Sequence, residues 1–541
     1  MVTKKKYKIR DITFDLFRDM GVNVICGNPG STEETFLQNF PKDFIYIMAL
    51  QEASVVGIAD GISQSLRKPV IVNCHTSMIS NGMGNIITAF QNKTPLILTS
   101  GNQTRNMILN EPLLTNINPT ILTEPFVKWS YQPCRSEDVP GSFMRAYAMS
   151  IQEPQGPTYL SIPLDDWNQK TEKKINFREV SCRIGPDPNI VKEFANKINK
   201  SKNPVIIYGS DIARQEAWNE AIKFAEKINA PVFSSPFQER TSFPETHYLF
   251  QGQLKSSIKQ VYEEIKNFDL IIVIGAPVFR YYPYIPGEYI GKNSILLLVS
   301  DDPDLISKAV TGYGLLSNSK LFFENILDLI IPKKYNKNIK LRKNVNFKIK
   351  NEKNIFSTRN ILKIIKLNLP ENYILTEECP SIVGDLIDII RINKPDTFYT
   401  FASGGLGWTM PASIGLAIGE KIKNKKKIRP VICLIGDGSF QYSIQSLYTG
   451  VQENSHVIFL VFQNYEYGIL KEFSILEKTP NVPGLNLPNI DIVSLSNGYG
   501  ANSKLIKSVK EFEKEFHKAL NFKGVSVIVF HTKKTSGGLS V

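Results

Sequence analysis

Two residues with oxygen donors follow two apolar runs near the carboxyl end of the chain: Asp437 after VICLIG and Asn464 after HVIFLVFQ. Brought together, a carboxylate and an amide form part of the oxygen shell that a hard cation such as Mg²⁺ takes, with phosphate oxygens completing it. The stretch GDGSFQYSIQSLYTGVQENSHVIFLVFQNYEYG, residues 436–468, shows how they meet. VICLI predicts a strand, SIQSLYTGVQEN a helix and HVIFLVF a second strand. A right-handed crossover puts the ends of both strands on the same edge of a sheet, where open α/β sheets bind ligands. Gly436 and Gly438 let a phosphate approach the backbone, Ser439 follows them, and the helix beginning nearby presents free N–H groups. GDG alone is a common acidic turn; the asparagine after the next strand is what points to a metal and a phosphate.

Three further residues have types suited to proton handling or anion binding. Glu52, in ALQEASVVG, follows a predicted strand and opens a helix among apolar neighbours. A desolvated carboxyl there can share a proton with a ring nitrogen, although a glutamate in the first turn is also favoured by the helix dipole. His75, in PVIVNCHTS, sits just after a buried strand. Imidazoles exchange protons near neutrality, yet a lone histidine beside an apolar run is more often structural. Ser31, in GNPGST, reads on its own as an N-cap before EETFLQNF, with Thr32 available for the same task.

The elements that must position these residues recur as short apolar strand, turn and amphipathic helix, which predicts α/β structure in three doubly wound parallel-sheet domains. The first spans 1–180, with strands in VNVICGNPG, FIYIMALQE, PVIVNCH, PLILTSG and TYLSIP. The second, 185–332, holds PVIIYGS, APVFSS, LIIVIGA and SILLLVS. A Lys/Asn-rich stretch at 333–355 reads as a linker. The third, 356–541, holds YILTEE, DTFYTF, RPVICLIGDG, HVIFLVFQN and VSVIVFHT. The first and third segments could be distant structural duplicates.

At 541 residues the chain is too long for one core, and 42% hydrophobic with 21% charged residues is ordinary for a globular protein. The net charge of +13 is spread along the chain, densest at 333–353 and 424–429. Neither run is interleaved with an aromatic platform, so a solvated surface is expected and not a nucleic-acid partner. No apolar h-region follows MVTKKKYKIRDITFDLF and no long uninterrupted apolar run occurs, so neither signal peptide nor membrane partner is expected. The six cysteines form no CxxC pair, which reads as reduced thiols in a cytoplasmic protein.

GDG followed by the asparagine after the next strand resembles the thiamine-diphosphate (ThDP) motif of the pyruvate decarboxylase and acetolactate synthase superfamily. The likeness covers nearly the whole chain, weakest at 333–355. GNPGSTEETFLQNFPKDFIYIMALQEASVVGIADG, VKWSYQP, IGAPVFRYYPY, GGLGWTMPASIG and NVPGLNLPNID are similar to the benzoylformate decarboxylase family. That resemblance implies a pyrimidine-binding N-terminal domain, a middle domain, a diphosphate-binding C-terminal domain, and a homotetramer with each cofactor between two subunits. It implies Mg²⁺, or Ca²⁺ in its place, on Asp437, Asn464 and the main-chain carbonyl of Glu466. Glu52 would bond the pyrimidine, Gly404 would accept from the cofactor's amino group, and Leu406 would wedge its two rings. Ser31 would bind the substrate carboxylate and His75 would handle protons at the keto oxygen, with Leu470 and Phe473 lining the pocket.

The sequence also departs from that family. Tyr282 stands where a second proton-handling histidine is usual, and Thr400 where an aromatic wall is expected. TSMISNGMG, after His75, is one residue shorter than the family's version. The activity implied is non-oxidative decarboxylation of an aromatic-type 2-oxo acid to an aldehyde and CO₂. The alternative is a carboligase of the acetolactate synthase type, which would normally carry FAD in a middle domain; no matching signature is present.

Overall fold

Runs of β-branched and aliphatic residues in each segment, buried on both faces, force parallel strands covered by helices on either side. The computed structural model describes residues 6–172, 175–334, 339, 342, 347–424 and 427–534, and shows three six-stranded parallel sheets. The N-terminal sheet runs, in spatial order, Ile45–Met48, Val24–Asn28, Val70–Cys74, Leu96–Asn102, Thr158–Pro163, Ser130–Tyr131. The C-terminal sheet runs Phe398–Thr400, Ile374–Glu378, Val431–Gly436, Val457–Gln463, Val525–His531, Asn502–Ile506. With each sheet's strands numbered in chain order, both read 2-1-3-4-6-5, the same topology twice. The middle sheet reads 3-2-1-4-5-6 through Phe250–Gln253, Val232–Ser234, Pro204–Tyr208, Leu270–Ile274, Ile295–Ser300 and Tyr313–Leu316. The fold class expected from the sequence is therefore the fold observed.

Each order has a switch point where neighbouring connections leave in opposite directions, opening a crevice at the strands' carboxyl ends. In the N-terminal sheet it lies between Val24–Asn28 and Val70–Cys74, so the turns carrying Ser31 and His75 flank it. In the C-terminal sheet it lies between Ile374–Glu378 and Val431–Gly436, and Asp437 is the next residue. Sequence spacing alone thus delivers the candidate residues to corresponding places in two sheets.

One continuous apolar core joins the N-terminal and C-terminal sheets, while the middle sheet has its own. At the centre of the shared core the helix Glu52–Leu66 packs against Thr409–Lys423. A Cβ on Gly61 would stand 2.2 Å from the Ala412 carbonyl oxygen, and one on Gly415 2.1 Å from that of Ile58. The backbones therefore touch, and filling either position would cost about 1–3 kcal/mol or more in displaced structure. Gly57 meets Pro411 and Gly419 meets Ser65, so the helices run side by side in the same sense. Glu52 and the loop before Thr409 consequently emerge at the same end of the pair.

Several details differ from the sequence reading. The expected helix SIQSLYTGVQEN, 443–454, is observed as the shorter Ser446–Gln452, and a separate helix, Asp437–Tyr442, precedes it directly after the strand. Strands Ser130–Tyr131, Phe250–Gln253, Tyr313–Leu316 and Asn502–Ile506 carry no apolar run because each lies at a sheet edge and buries only part of its surface. The expected linker lies partly outside the described residues, but within it Ile339 is buried and Phe347 packs against the C-terminal core.

The middle sheet is tied to the C-terminal sheet through Glu245, whose N–H donates to the Ile392 carbonyl and whose Oε2 accepts from the Ile392 N–H, both at 2.9 Å. Burial raises this carboxyl from its ordinary 4.5 to about 7, against the opposing pull of the Ile392 N–H, Arg342 and Arg391. The folded chain then keeps a proton that the unfolded chain releases. Its stabilising effect is full below pH 4.5 and is lost as pH rises through 7. Glu245→Gln keeps the acceptor and removes the titration. Thermal unfolding from pH 4.5 to 8 should show wild type losing on the order of 2 kcal/mol relative to Glu245→Gln; parallel profiles would contradict this.

Candidate active site

Asp437, only 2% exposed, starts the helix after Val431–Gly436. Its Oδ2 accepts the Tyr465 N–H at 2.8 Å and its Oδ1 the Gly438 N–H at 3.0 Å. The carboxylate thus draws the loop after Val457–Gln463 onto the turn after the neighbouring strand, bringing Asn464 beside it. Asn464 Oδ1 accepts from the Glu466 N–H at 3.1 Å. The Glu466 side chain turns away to Lys471, and its backbone bridges Asn486. Tyr465 adopts φ +60° and shares a 2.7 Å hydrogen bond between its hydroxyl and His531 Nε2. Burial pushes the Asp437 carboxyl up to about 6, Glu466 adding to the effect and backbone N–H groups opposing it. Among the described residues no cationic side chain is paired with Asp437.

The turn itself is shaped for close approach. Gly436 is half-buried, Ser439 is buried, and a Cβ on Gly438 would meet Tyr467 at 2.6 Å. No three His, Cys, Asp or Glu side chains cluster as a ligand set among the described residues. One carboxylate, one amide and main-chain oxygen are the donors here, a set suited to a hard cation that keeps outside oxygens in its shell.

At the N-terminal switch point, Glu52 is 7% exposed and both its oxygens are held by amides: Oε1 by Asn28 Nδ2 at 3.1 Å, Oε2 by Asn81 Nδ2 at 3.2 Å. His75 Nδ1 lies 2.9 Å from Glu33 Oε2 and 2.9 Å from Thr32 Oγ1. Glu33, almost wholly buried, also accepts the Gly30 N–H at 3.1 Å, the Gly101 N–H at 2.7 Å and the Thr32 hydroxyl at 2.7 Å. A Cβ on Gly30 would sit 2.2 Å from His75 Nδ1. Ser31 is exposed at the turn. The expectation that Thr32 caps the following helix is not met: Glu34–Leu37 has no side-chain cap, because the Thr32 hydroxyl is used by Glu33 and His75.

Glu33, Asn28 and Asn81, which hold the candidate residues His75 and Glu52, were missed by the sequence reading. Glu33 stands beside Glu34 at a helix start, where acidic residues are common, and only the fold shows which one turns inward.

The remaining candidates come together in part. Gly404 is exposed at φ +75° and Leu406 half-buried, on the loop between Phe398–Thr400 and Thr409–Lys423. Tyr282 packs on Phe473, ring centroids 4.9 Å apart at 50°, and Leu470 is exposed on the same helix, Gly468–Leu476. Thr400 is tied to Glu377, its hydroxyl donating to the backbone carbonyl at 2.7 Å and to Oε2 at 3.2 Å. Within the single chain, no hydrogen bond among the described residues joins the Glu52–His75 group to the Asp437–Asn464 group.

Three family models match in the same order as the sheets: thiamine pyrophosphate enzyme, N-terminal TPP binding domain, over 7–118; central domain over 191–326; C-terminal TPP binding domain over 382–530. Benzoylformate decarboxylase of Pseudomonas aeruginosa is 32% identical over 516 residues, 95% of this chain and 96% of that protein. The crystal structure of benzoylformate decarboxylase from Polynucleobacter necessarius superposes with a TM-score of 0.96 at 56% identity, covering 98% of this chain and all of the other. The thiamine diphosphate-dependent 4-hydroxybenzoylformate decarboxylase of Rhodococcus jostii RHA1 superposes with a TM-score of 0.92 at 29% identity, covering 98% and 99%. The chain belongs to the thiamine-diphosphate-dependent 2-oxo acid decarboxylase superfamily, as a carboxy-lyase related to benzoylformate decarboxylase.

Proposed function

We propose that this enzyme uses ThDP and Mg²⁺ to decarboxylate an aromatic 2-oxo acid of the benzoylformate type, releasing an aldehyde and CO₂. The observation that carries this reading is the buried Asp437 carboxylate. It has neutral donors only and follows the third strand of its sheet, the position that His75 holds after the third strand of the other outer sheet. Asp437, Asn464 and the Glu466 carbonyl would hold the cation, and Gly436, Gly438 and Ser439 would admit the diphosphate to the backbone. The unit 1–180 would take the pyrimidine and 356–541 the diphosphate, the linker lying between the latter and 185–332. When bound, ThDP supplies the electron sink for loss of CO₂.

The chain's own groups would do the rest. Glu52, steadied by Asn28 and Asn81, holds and returns a proton at the pyrimidine nitrogen. Gly404 and Leu406 support the cofactor's amino group and ring angle. Ser31 receives the substrate carboxylate. His75, anchored at Nδ1, turns Nε2 toward the keto oxygen. Tyr282 and Phe473 form an aromatic wall, with Leu470 beside them and Thr400 at its margin. A tyrosine in place of the family's histidine donates a hydrogen bond but relays protons less readily, so release of the aldehyde relies on His75.

Leu109 and Leu113 are 91% and 87% exposed in the single chain, with Ile117 and Ile121 close by. Such a patch supports burial against another subunit, in keeping with a homotetramer whose sites are completed between chains. All six cysteines are free thiols, which supports a reducing cytoplasmic setting, and no described helix is long and apolar enough to cross a membrane.

Aldehyde release measured across a panel of aromatic and aliphatic 2-oxo acids, with ThDP and Mg²⁺ present, should favour the aromatic acids. A preference for pyruvate with hydroxyketone as product would overturn the substrate assignment. Chelator dialysis should remove activity, with both ThDP and a divalent cation needed to restore it. Asp437→Ala should weaken ThDP affinity on the order of 100-fold; affinity equal to wild type would remove Asp437 from the metal site. Gly30→Ala should displace the His75 ring by an ångström or more and lower kcat about 100-fold, with ThDP affinity little changed. Full turnover in that variant would show that His75 placement is immaterial.

A further inference from the structure

The segment 400–409 runs from the end of strand Phe398–Thr400 to the start of helix Thr409–Lys423, and it is pegged on both sides of a short free stretch. On the near side the Thr400 N–H donates to the Glu239 carbonyl at 3.0 Å, and the Ala402 N–H to Asn92 Oδ1 at 3.1 Å. Ser403 Oγ lies 2.8 Å from Thr88 Oγ1. On the far side Trp408 Nε1 donates to Asp60 Oδ2 at 2.6 Å. Between these pegs Gly404 and Gly405 are exposed and Leu406 half-buried.

The far peg has an unusual construction. Glu378, fully buried at the end of Ile374–Glu378, places one oxygen on each of two loop amides: Oε1 accepts from the Gly407 N–H at 2.6 Å and Oε2 from the Thr409 N–H at 2.7 Å. From the other side, Ser443 Oγ donates to the Gly407 carbonyl at 2.6 Å. Ser443 directly follows the helix that Asp437 begins, and Glu378 pairs in register with Ile435, two residues before Asp437. Gly407 itself needs φ +106°, and a Cβ there would meet Tyr442 at 2.9 Å. One glycine is thus fastened through its N–H to the strand beside Asp437 and through its carbonyl to the residue after the Asp437 helix, Asn85 Nδ2 also donating to that carbonyl at 3.3 Å.

We propose that Glu378 and Ser443 are a positioning pair that sets Gly404 and Leu406 at a fixed distance from the Asp437 turn, and thereby holds the cofactor in its reactive conformation. This rests on the ThDP reading given above. A carboxylate is required because two N–H groups need two acceptors. An amide offers one acceptor and turns an NH₂ toward the other buried N–H, leaving that donor unsatisfied. Neither residue reaches the reacting atoms; each acts through Gly407.

The test compares wild type, Glu378→Gln and Ser443→Ala, each loaded with saturating ThDP and Mg²⁺ and corrected for bound cofactor. The readouts are hydrogen–deuterium exchange at C2 of bound ThDP, ThDP affinity, and kcat and KM over the panel of 2-oxo acids. Glu378→Gln should slow exchange and kcat by about 10–100-fold while KM moves less than about threefold. Ser443→Ala should slow exchange by about three- to tenfold, a smaller effect because one neutral hydrogen bond is lost. A purely structural role would lower the folded or loaded fraction and leave exchange per loaded site at the wild-type rate, and that result overturns the proposal. If Glu378→Gln does not fold, Ser443→Ala decides, since wild-type exchange in it is equally fatal. A wild-type enzyme that decarboxylates nothing on the panel would instead overturn the decarboxylase reading.

Discussion

The backbone contact between helices Glu52–Leu66 and Thr409–Lys423 is the constraint on which the rest of the site depends. With Gly61 and Gly415 at the crossing, the helices approach to distances that no side chain would allow. That closeness locks the N-terminal and C-terminal sheets into one apolar core. It also fixes where each helix begins, and both beginnings carry candidate site residues: Glu52 opens one, and the loop carrying Gly404 and Leu406 leads into the other. A bulkier residue at the crossing would change the geometry of two candidate groups without touching either.

The three switch points solve the same electrostatic problem differently. In the middle sheet Lys93 reaches Asp211 at 2.8 Å and Asp301 at 2.6 Å, Arg214 pairs with Asp211 and Glu239, and Arg280 lies 3.8 Å from Glu239. Three cations thus face three anions. Burial alone would raise Asp211, but Lys93 and Arg214 outweigh it and hold that carboxyl below its ordinary value. The network leaves a cavity of about 20 Å³ at the crevice, whereas sites for drug-sized ligands run to roughly 300–1,000 Å³.

Most of the interior was readable from sequence because central parallel strands are buried on both faces and so appear as runs such as VICLIG and PVIVNC. Edge strands such as Asn502–Ile506, whose exposure alternates, left no such run. The meeting of the Asp437 turn with the loop carrying Asn464 was legible because it depends on local spacing: a glycine, a carboxylate, a second glycine and an asparagine after the next strand. Glu33 and Glu378 were not. Each belongs to a pair of adjacent glutamates: Glu33 is buried while Glu34 is exposed, and Glu377 and Glu378 are both buried, but what each holds depends on distant partners, Gly101 and His75 for Glu33, Gly407 and Thr409 for Glu378. That Ser443 stands outside the helix Ser446–Gln452 was hidden for the same reason, since its hydroxyl donates to Gly407.

The outer switch points contrast with the middle one in a way that explains why ligand chemistry belongs there. Glu52 is held by two amides, Glu378 by two backbone N–H groups, and Asp437 by two more. Burial pushes Glu377 and Glu378 up to about 7, their hydrogen bonds only partly offsetting it, and Asp437 up to about 6. Neutral donors orient a carboxylate but do not discharge it, and a buried uncompensated charge is costly. The middle crevice has already met that cost from its own lysine and arginines. At Asp437 no such counter-charge is paired with the carboxylate among the described residues, which is the feature on which the proposed cation site rests. An acidic turn without its own counter-charge thus distinguishes this crevice from the middle one, and it is why the proposed cofactor site is put here.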